Sequence, residues 1–150
     1  QGLPFYGIDI PFQWVDIGTL PDIWDATRRV LEGEVPGYPL PGIERAPGIR
    51  TGINVRIDLD QVDITPPVFI GSGSEVGNGA VIKGPTQIGA GCVIESGAEV
   101  IECIVDDYTR VSGVTTLKQK ILFGDHCITP DGKTVVTGGR DGRVRLWRVK

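Results

Sequence analysis

The sequence contains little of what several large classes of protein require. It has no methionine, one histidine and three cysteines in 150 residues. No apolar run is long enough to cross a membrane, and the first residues, QGLPFYG, do not resemble a signal peptide. The net charge is −4, so the chain lacks the basic surface of a general nucleic-acid-binding protein. We therefore expect neither a nucleic acid nor a membrane as a partner.

The cysteines indicate a reducing compartment. Cys92, Cys103 and Cys127 cannot all pair with one another and do not have the spacing of a metal site. We therefore expect three free thiols and a cytoplasmic location. The absence of methionine at position 1 suggests that the chain begins within a longer protein.

Glycine and proline are abundant, and their spacing is regular. The chain has 22 glycines and 11 prolines, which indicates many tight corners. From residue 64 onwards an aliphatic residue recurs at every sixth position, which is the period of a hexapeptide repeat. These residues are Ile64, Ile70, Val76, Ile82, Ile88, Ile94 and Val100.

Two further positions of the repeat indicate how the chain folds. Glycine is common three residues after each aliphatic residue, where it supplies the positive φ of a sharp corner. The fourth residue is small, because it faces a narrow interior vertex. Three short strands then close one triangular coil, and successive coils stack in parallel about 4.8 Å apart. The sequence therefore predicts a mainly β protein, a left-handed parallel β-helix of hexapeptide repeats. The small vertex residues are Ser74, Ala80, Thr86, Cys92 and Ala98.

The phase of the repeat shifts by one residue after Val100. Upstream, Ile49 and Val55 begin two looser hexads, so that about four coils result, enough for a stable stack. Downstream, the inward positions resume in the new phase, each followed by its own vertex residue. The inward residues are Val105, Val111, Leu117 and Phe123, and the vertex residues are Thr109, Thr115, Ile121 and Cys127.

An amphipathic helix is predicted before the repeat, over residues 19–33. Thr19 and Asp22 resemble a capping box at its start, and Gly33 provides a stop. One face of this helix is apolar. Its residues are Leu20, Ile23, Trp24, Thr27, Val30 and Leu31.

The chain therefore divides into four predicted parts. The β-helix is flanked by a Pro-rich extended linker on one side and by a hairpin on the other, which we expect to cover the open end of the last coil. In chain order the parts are 1–33, the end of a preceding domain with its helix; 34–48, the linker; 49–128, the β-helix; and 129–150, the capping hairpin with strands at 134–137 and 143–149.

A resemblance to a known family begins just before the predicted helix. The stretch Trp14, Asp16, Gly18 and Thr19 is similar to the W-x-D-x-G-T stretch at the end of the nucleotidyltransferase domain of sugar-nucleotide pyrophosphorylases. The hexads that follow resemble the β-helix of bacterial mannose-1-phosphate guanylyltransferases and glucose-1-phosphate nucleotidyltransferases. The resemblance covers about residues 5–132.

This resemblance implies a reaction and a metal. In that family a sugar 1-phosphate attacks the α-phosphate of a nucleoside triphosphate, and Mg²⁺ neutralises charge. The aspartate that matches Asp16 is expected to bind Mg²⁺. The glycine-rich phosphate loop, the catalytic lysine and the other metal-binding aspartate lie in the family's N-terminal domain, and no such loop precedes Asp16. We therefore expect the C-terminal piece of an enzyme, with no catalytic residue or cofactor of its own, that serves oligomerisation, as a trimer, or regulation.

Two alternatives remain open. Asp16 can simply anchor the turn before the helix. His126, the only histidine, can act as the general base of a hexapeptide acyltransferase from an outward corner of the β-helix. A carbonic anhydrase of this fold is excluded, because it needs three zinc-binding histidines. Trp14 and Trp24 are interpreted as packing residues.

Overall fold

The computed structural model describes residues 4, 6–10, 14–138 and 144–148, and these form a β-helix with one α-helix before it. In chain order the elements are α1 (Leu20–Leu31), β1 (Ile43–Ala46), β2 (Ile49–Thr51), β3 (Asp63–Thr65), β4 (Val68–Ile70), β5 (Glu75–Val76), β6 (Val81–Lys83), β7 (Thr86–Ile88), β8 (Val93–Ile94), β9 (Glu99–Val105), β10 (Arg110–Val111), β11 (Thr116–Phe123), β12 (His126–Ile128), β13 (Thr134–Gly138) and β14 (Val144–Arg148).

Strands β2 to β11 wind into a parallel β-helix with three sides. Face 1 stacks β2, β4, β7 and the second halves of β9 and β11. Face 2 stacks β5, β8 and β10. Face 3 stacks β3, β6 and the first halves of β9 and β11. The predicted β-helix of about four coils is confirmed.

The predicted core is also confirmed from the second coil to the fourth. The inward aliphatic residues from Ile70 to Val111 are buried, and each contributes roughly 1.5–3 kcal/mol. The polar vertices are satisfied by bonds between coils. Ser74 Oγ donates to the carbonyl of Gly89 (2.7 Å) and accepts from the N–H of Cys92 (2.9 Å). Hydrogen bonds of this kind therefore tie successive coils together at the vertices that carry a polar side chain.

The corner between faces 3 and 1 explains the phase shift after Val100. In the third coil this corner lacks one residue, and Glu102 takes a left-handed φ of 50°. Val105 therefore follows Val100 by five residues and still lies in register with Ile88 of the coil below. A residue in the left-handed region allows the chain to turn this corner with one residue fewer.

A second corner of this kind makes the predicted end of the β-helix wrong. Gln119 also has a φ of 50°, so Leu122 rather than Phe123 lies over Val105. Phe123 is 63 % exposed. The coils end at Leu122, and Cys127 is not a vertex residue, because it lies on β12, which pairs antiparallel with β11.

The C-terminal strands extend face 1 beyond the last coil. β12, β13 and β14 add one after another in antiparallel pairs, which confirms the predicted hairpin. The glycine-rich turn of this hairpin and the predicted strand ends Arg143 and Val149 lie outside the described residues. Within the described chain the extension pairs only with the edge of face 1, so the cap over the last coil is partial.

Helix α1 lies over the outer side of face 1, and contacts β7. The linker after α1 is shorter than predicted, because residues 43–46 form β1, which pairs antiparallel with β2. The segment IERA has no proline, so its N–H groups can enter the ladder, and Gly48 turns the chain with a φ of 71°. The β-helix is thus preceded by a hairpin on face 1.

Candidate functional site

The segment that carries Asp16 is exposed and precedes α1 directly. Asp16 itself is exposed. Trp14 is 72 % exposed, so its predicted packing role is wrong within the described chain. Among the described residues no group of three or more histidine, cysteine, aspartate or glutamate side chains could hold a metal ion. Asp16 is therefore an exposed carboxylate that belongs to no such group among the described residues.

Helix α1 begins with a capping box directly after the segment that carries Asp16. The N–H of Thr19 donates to Oδ2 of Asp22 (2.9 Å), and the N–H of Asp22 donates back to Oγ1 of Thr19 (3.4 Å). These are the two bonds of the predicted capping box, which is confirmed. The hydroxyl of Thr19 also holds the pKa of Asp22 below its ordinary value. The helix therefore begins immediately after the segment that contains Asp16.

An apolar groove of about 460 Å³ separates part of α1 from face 1. Leu20 and Ile23 line it from the helix, and Ile104, Ile121 and Phe123 line it from the β-helix. The sides of α1 and of the β-helix that face each other across this groove are therefore mainly apolar.

The outer side of face 2 is charged and exposed. Arg56 forms an ion pair with Glu75, and Arg110 forms one with Glu95. The N–H of Gly113 donates to Oε2 of Glu95 (3.1 Å), and this bond, together with Arg110, lowers the pKa of Glu95. Each carboxylate is matched by a guanidinium group. Neither carboxylate is therefore free to act as a general acid or base without losing its partner.

His126 is placed differently from its predicted position. It lies at the start of β12, because the turn is made by Gly124 and Asp125, so the prediction of an outward corner of the β-helix is wrong. The side chain is 47 % exposed, and Nδ1 lies 2.7 Å from Oδ1 of Asp125. This contact orients the imidazole, as a general base requires. His126 and Asp125 lie at the turn before β12, at the edge of the strands that extend face 1.

The three cysteines are free, as predicted. Cys92 and Cys103 are fully buried, and Cys127 is partly buried. Burial raises the pKa of each thiol, and that of Cys103 rises to about 11. Cys103, whose exposure the sequence left open, occupies a vertex where its N–H donates to Oγ1 of Thr86 (3.2 Å). The thiols therefore act as small core residues.

Sequence reasoning missed two exposed apolar residues of the fourth coil, Tyr108 and Val114. Tyr108 is 83 % exposed and Val114 is 95 % exposed. Each stands three residues after an inward residue, where the previous coil has Gly91 or Gly97. The signal was present in the sequence, because a large apolar residue replaces glycine at a corner position in both cases.

No helix in the described chain is both long and apolar enough to span a membrane.

Comparisons with known proteins agree with the hexapeptide fold and with the resemblance to sugar-nucleotide pyrophosphorylases. Residues 67–102 match the family model described as bacterial transferase hexapeptide (six repeats). The chain is 41 % identical over 135 residues to a UTP–glucose-1-phosphate uridylyltransferase of Synechocystis sp.. This match covers 90 % of the chain and 35 % of the relative.

A second group of relatives matches a smaller part of the chain. The bifunctional protein GlmU of Pelobacter propionicus is 35 % identical over 74 residues, which is 49 % of the chain and 16 % of the relative. The chain thus spans about a third of the uridylyltransferase and a smaller share of GlmU. The hexapeptide coils and these matches together show a hexapeptide-repeat domain whose relatives are sugar-nucleotide pyrophosphorylases.

Proposed function

We propose that this chain is the hexapeptide-repeat part of a nucleotidyltransferase that makes a nucleotide sugar from a sugar 1-phosphate and a nucleoside triphosphate. The observation that carries this proposal is the similarity to a uridylyltransferase over 90 % of the chain, including both the Asp16 segment and the coils. That similarity favours glucose 1-phosphate and UTP over mannose 1-phosphate and GTP.

The role of Asp16 in this proposal is to provide one carboxylate ligand for Mg²⁺. An exposed carboxylate suits this ion, which commonly takes one or two carboxylates and completes its octahedral shell with substrate phosphates and water. When bound, the ion neutralises phosphate charge. The capping box of Thr19 and Asp22 defines where α1 begins, shortly after Asp16.

The β-helix itself is proposed to act in self-association, as a trimer, or in regulation. Its support is the fold, because a β-helix has flat sides, and face 2 is left exposed by α1. Homo-oligomers usually close into symmetric rings, which requires a surface of this kind. The proposed location of the protein is the cytoplasm, because its buried free thiols suit a reducing compartment.

An acyltransferase is the second candidate, and the contact between His126 and Asp125 is the observation in its favour. The test is calorimetric titration with acetyl-coenzyme A. We expect no heat of binding, and an unchanged oligomer in His126→Ala. Saturable binding that is lost in His126→Ala would favour the acyltransferase.

The proposed role of the chain is tested by assaying the 150-residue protein for pyrophosphate release. The substrates are UTP, GTP, dTTP or ATP with a sugar 1-phosphate and Mg²⁺. We expect no turnover, because no phosphate-binding loop precedes Asp16, together with a stable oligomer in light scattering. Turnover by the chain alone would contradict its assignment as a non-catalytic part, and a strict monomer would contradict the assembly role.

A further inference from the structure

The floor of the groove between α1 and face 1 is a row of residues that lie in register across neighbouring strands. Ile104 of β9 lies beside Gln87 of β7 on one side and beside Ile121 of β11 on the other. Ile121 in turn lies beside Ile128 of β12, and all four residues line the groove. The floor is therefore apolar except at the amide of Gln87.

The roof of the groove is formed by the first two turns of α1. Leu20, Ile23 and Thr27 follow one another at helical spacing on one side of the helix, and all three line the groove. At its other end α1 buries Leu31, whereas Ile23 remains 37 % exposed. The groove is thus the space that the start of α1 leaves above face 1. Its volume of about 460 Å³ lies within the range of roughly 300–1,000 Å³ that is typical of small-molecule sites.

Three polar side chains line this groove without a partner. They are Thr27 of α1, Gln87 of β7 and Asp106, which directly follows β9. Each is partly buried, and none of the three side chains makes a hydrogen bond or an ion pair with another described residue. The adjacent carboxylate of Asp107 differs, because it accepts the N–H of Ala90 (2.6 Å). Polar groups that are partly removed from water are usually paired, so three unpaired ones around one apolar space indicate a ligand that supplies their partners.

The carboxylate of Asp106 determines which charge the ligand carries. Among the described residues that line the groove, Asp106 is the only charged one, so no lysine or arginine neutralises it there. A protonated amine complements this carboxylate, and its attraction is screened less beside the apolar floor than it is in water. An acidic ligand would instead meet a like charge.

We infer that the groove is a binding site for a small hydrophobic amine. The apolar body of the ligand lies on Ile104 and Ile121, and its ammonium group donates to the carboxylate of Asp106. Thr27 and Gln87 provide further acceptors for N–H or O–H groups of the ligand. A molecule bound in this way contacts both α1 and the β-helix. The inference goes beyond the proposed function and does not rest on it, because none of the described lining residues belongs to the segment before α1.

The test is calorimetric titration of the 150-residue chain with octylamine, 1-octanol and octanoate, which share one apolar chain and differ in the head group. We expect saturable binding of octylamine, weaker binding of 1-octanol and no saturable binding of octanoate. Octylamine should also raise the melting temperature, because a ligand of the folded state stabilises that state. Octanoate that binds as tightly as octylamine, or octylamine that does not bind saturably, would overturn the inference.

Three variants locate the site. Asp106→Asn should weaken octylamine binding by at least about tenfold, and it should melt no lower than the parent chain, because the carboxylate has no partner to lose among the described residues. Asp107→Asn is the matched control, since it removes the same charge one residue away, keeps an oxygen for the N–H of Ala90 and should change binding far less. Ile23→Trp should fill the groove and weaken binding. Equal binding by Asp106→Asn and the parent chain, or equal losses in Asp106→Asn and Asp107→Asn, would contradict the site.

A second possible occupant is the chain's own segment before α1, in which Tyr6, Ile8 and Ile10 are exposed. If this segment competed for the groove, Ile8→Lys would strengthen octylamine binding, and that result would overturn the assignment to a small molecule. We expect octylamine to bind Ile8→Lys and the parent chain equally. These titrations do not bear on the nucleotidyltransferase assignment, which is tested by activity.

Discussion

Gln119 donates a hydrogen bond from Nε2 to Oε2 of Glu102, 2.7 Å away, and both residues have a φ of 50°. They occupy the same corner in successive coils, between faces 3 and 1. In the two coils below, the same corner consists of Pro66 and Pro67 or of Gly84 and Pro85, and is one residue longer. At Glu102 and Gln119 the spacing between inward residues therefore falls from six residues to five.

Glu102→Val is expected to destabilise the protein through this backbone. A β-branched side chain fits the left-handed region poorly, so the free energy of unfolding should fall by roughly 1–3 kcal/mol. Urea unfolding measures the change. Lys118→Val, at an exposed strand position of ordinary φ, is the control and should change stability by less than about 0.5 kcal/mol. Equal effects of the two substitutions would contradict the role of the corner.

Ile88→Ala tests the central position of the core. Ile88 is completely buried between Ile70 and Val105, so the substitution should leave a cavity and cost about 2–5 kcal/mol. Ile43→Ala removes an exposed aliphatic side chain on β1 and serves as the control, with an expected change of less than about 0.5 kcal/mol. A thermal melt of Ile88→Ala that matched the parent chain would show that Ile88 does not point into the core.

The ion pair of Glu95 predicts a dependence of stability on pH. The pKa of Glu95 is lowered in the folded state by the N–H of Gly113 and by Arg110, so its charged form is stabilised by folding. This contribution is fully present above the ordinary pKa of a glutamate and is lost as the pH falls below that value and through the lowered folded pKa. Glu95→Gln should therefore melt below the parent chain at pH 7, and the difference should shrink as the pH falls below 4. A difference that stays constant down to pH 3 would show that the carboxylate charge does not contribute.

Thiol labelling tests the burial of the cysteines. In the native protein at pH 8, Cys127 should react with Ellman's reagent first, because it is only partly buried. Cys92 and Cys103 should react only after unfolding, since both are fully buried and the pKa of Cys103 is raised to about 11. Cys127→Ser should remove the native signal and leave two thiols in denaturant. Rapid labelling of all three thiols would contradict the closed vertices.

The regular hexads could be predicted from sequence because burial forces an aliphatic residue at every sixth position. The six-residue spacing is lost where the corner between faces 3 and 1 is one residue shorter. Leu122 and Phe123 are both apolar, so the pattern cannot show which one points inward, whereas the left-handed φ of Gln119 settles it in the structure. The capping box of α1 could be predicted because its bonds are local.

Properties that depend on contacts between distant residues could not be predicted. The pairing of β1 with β2 depends on the coil that β1 meets. Asp16 could be named only through the family resemblance, because a single exposed aspartate before a helix has no pattern of its own.

The most direct test of the proposed function is a chimera of the Synechocystis sp. uridylyltransferase in which this chain replaces the matched 135 residues. We expect the chimera to form UDP-glucose from UTP and glucose 1-phosphate, and Asp16→Ala to lower kcat/KM by at least about tenfold to a hundredfold. Asp9→Ala, at another exposed aspartate of the segment before α1, is the matched control and should stay active. Loss of activity in Asp16→Ala alone, with unchanged melting, is the result that the account predicts. A fully active Asp16→Ala chimera would contradict the metal-binding role of Asp16, and an inactive but folded parent chimera would contradict the assignment of this chain to a nucleotidyltransferase.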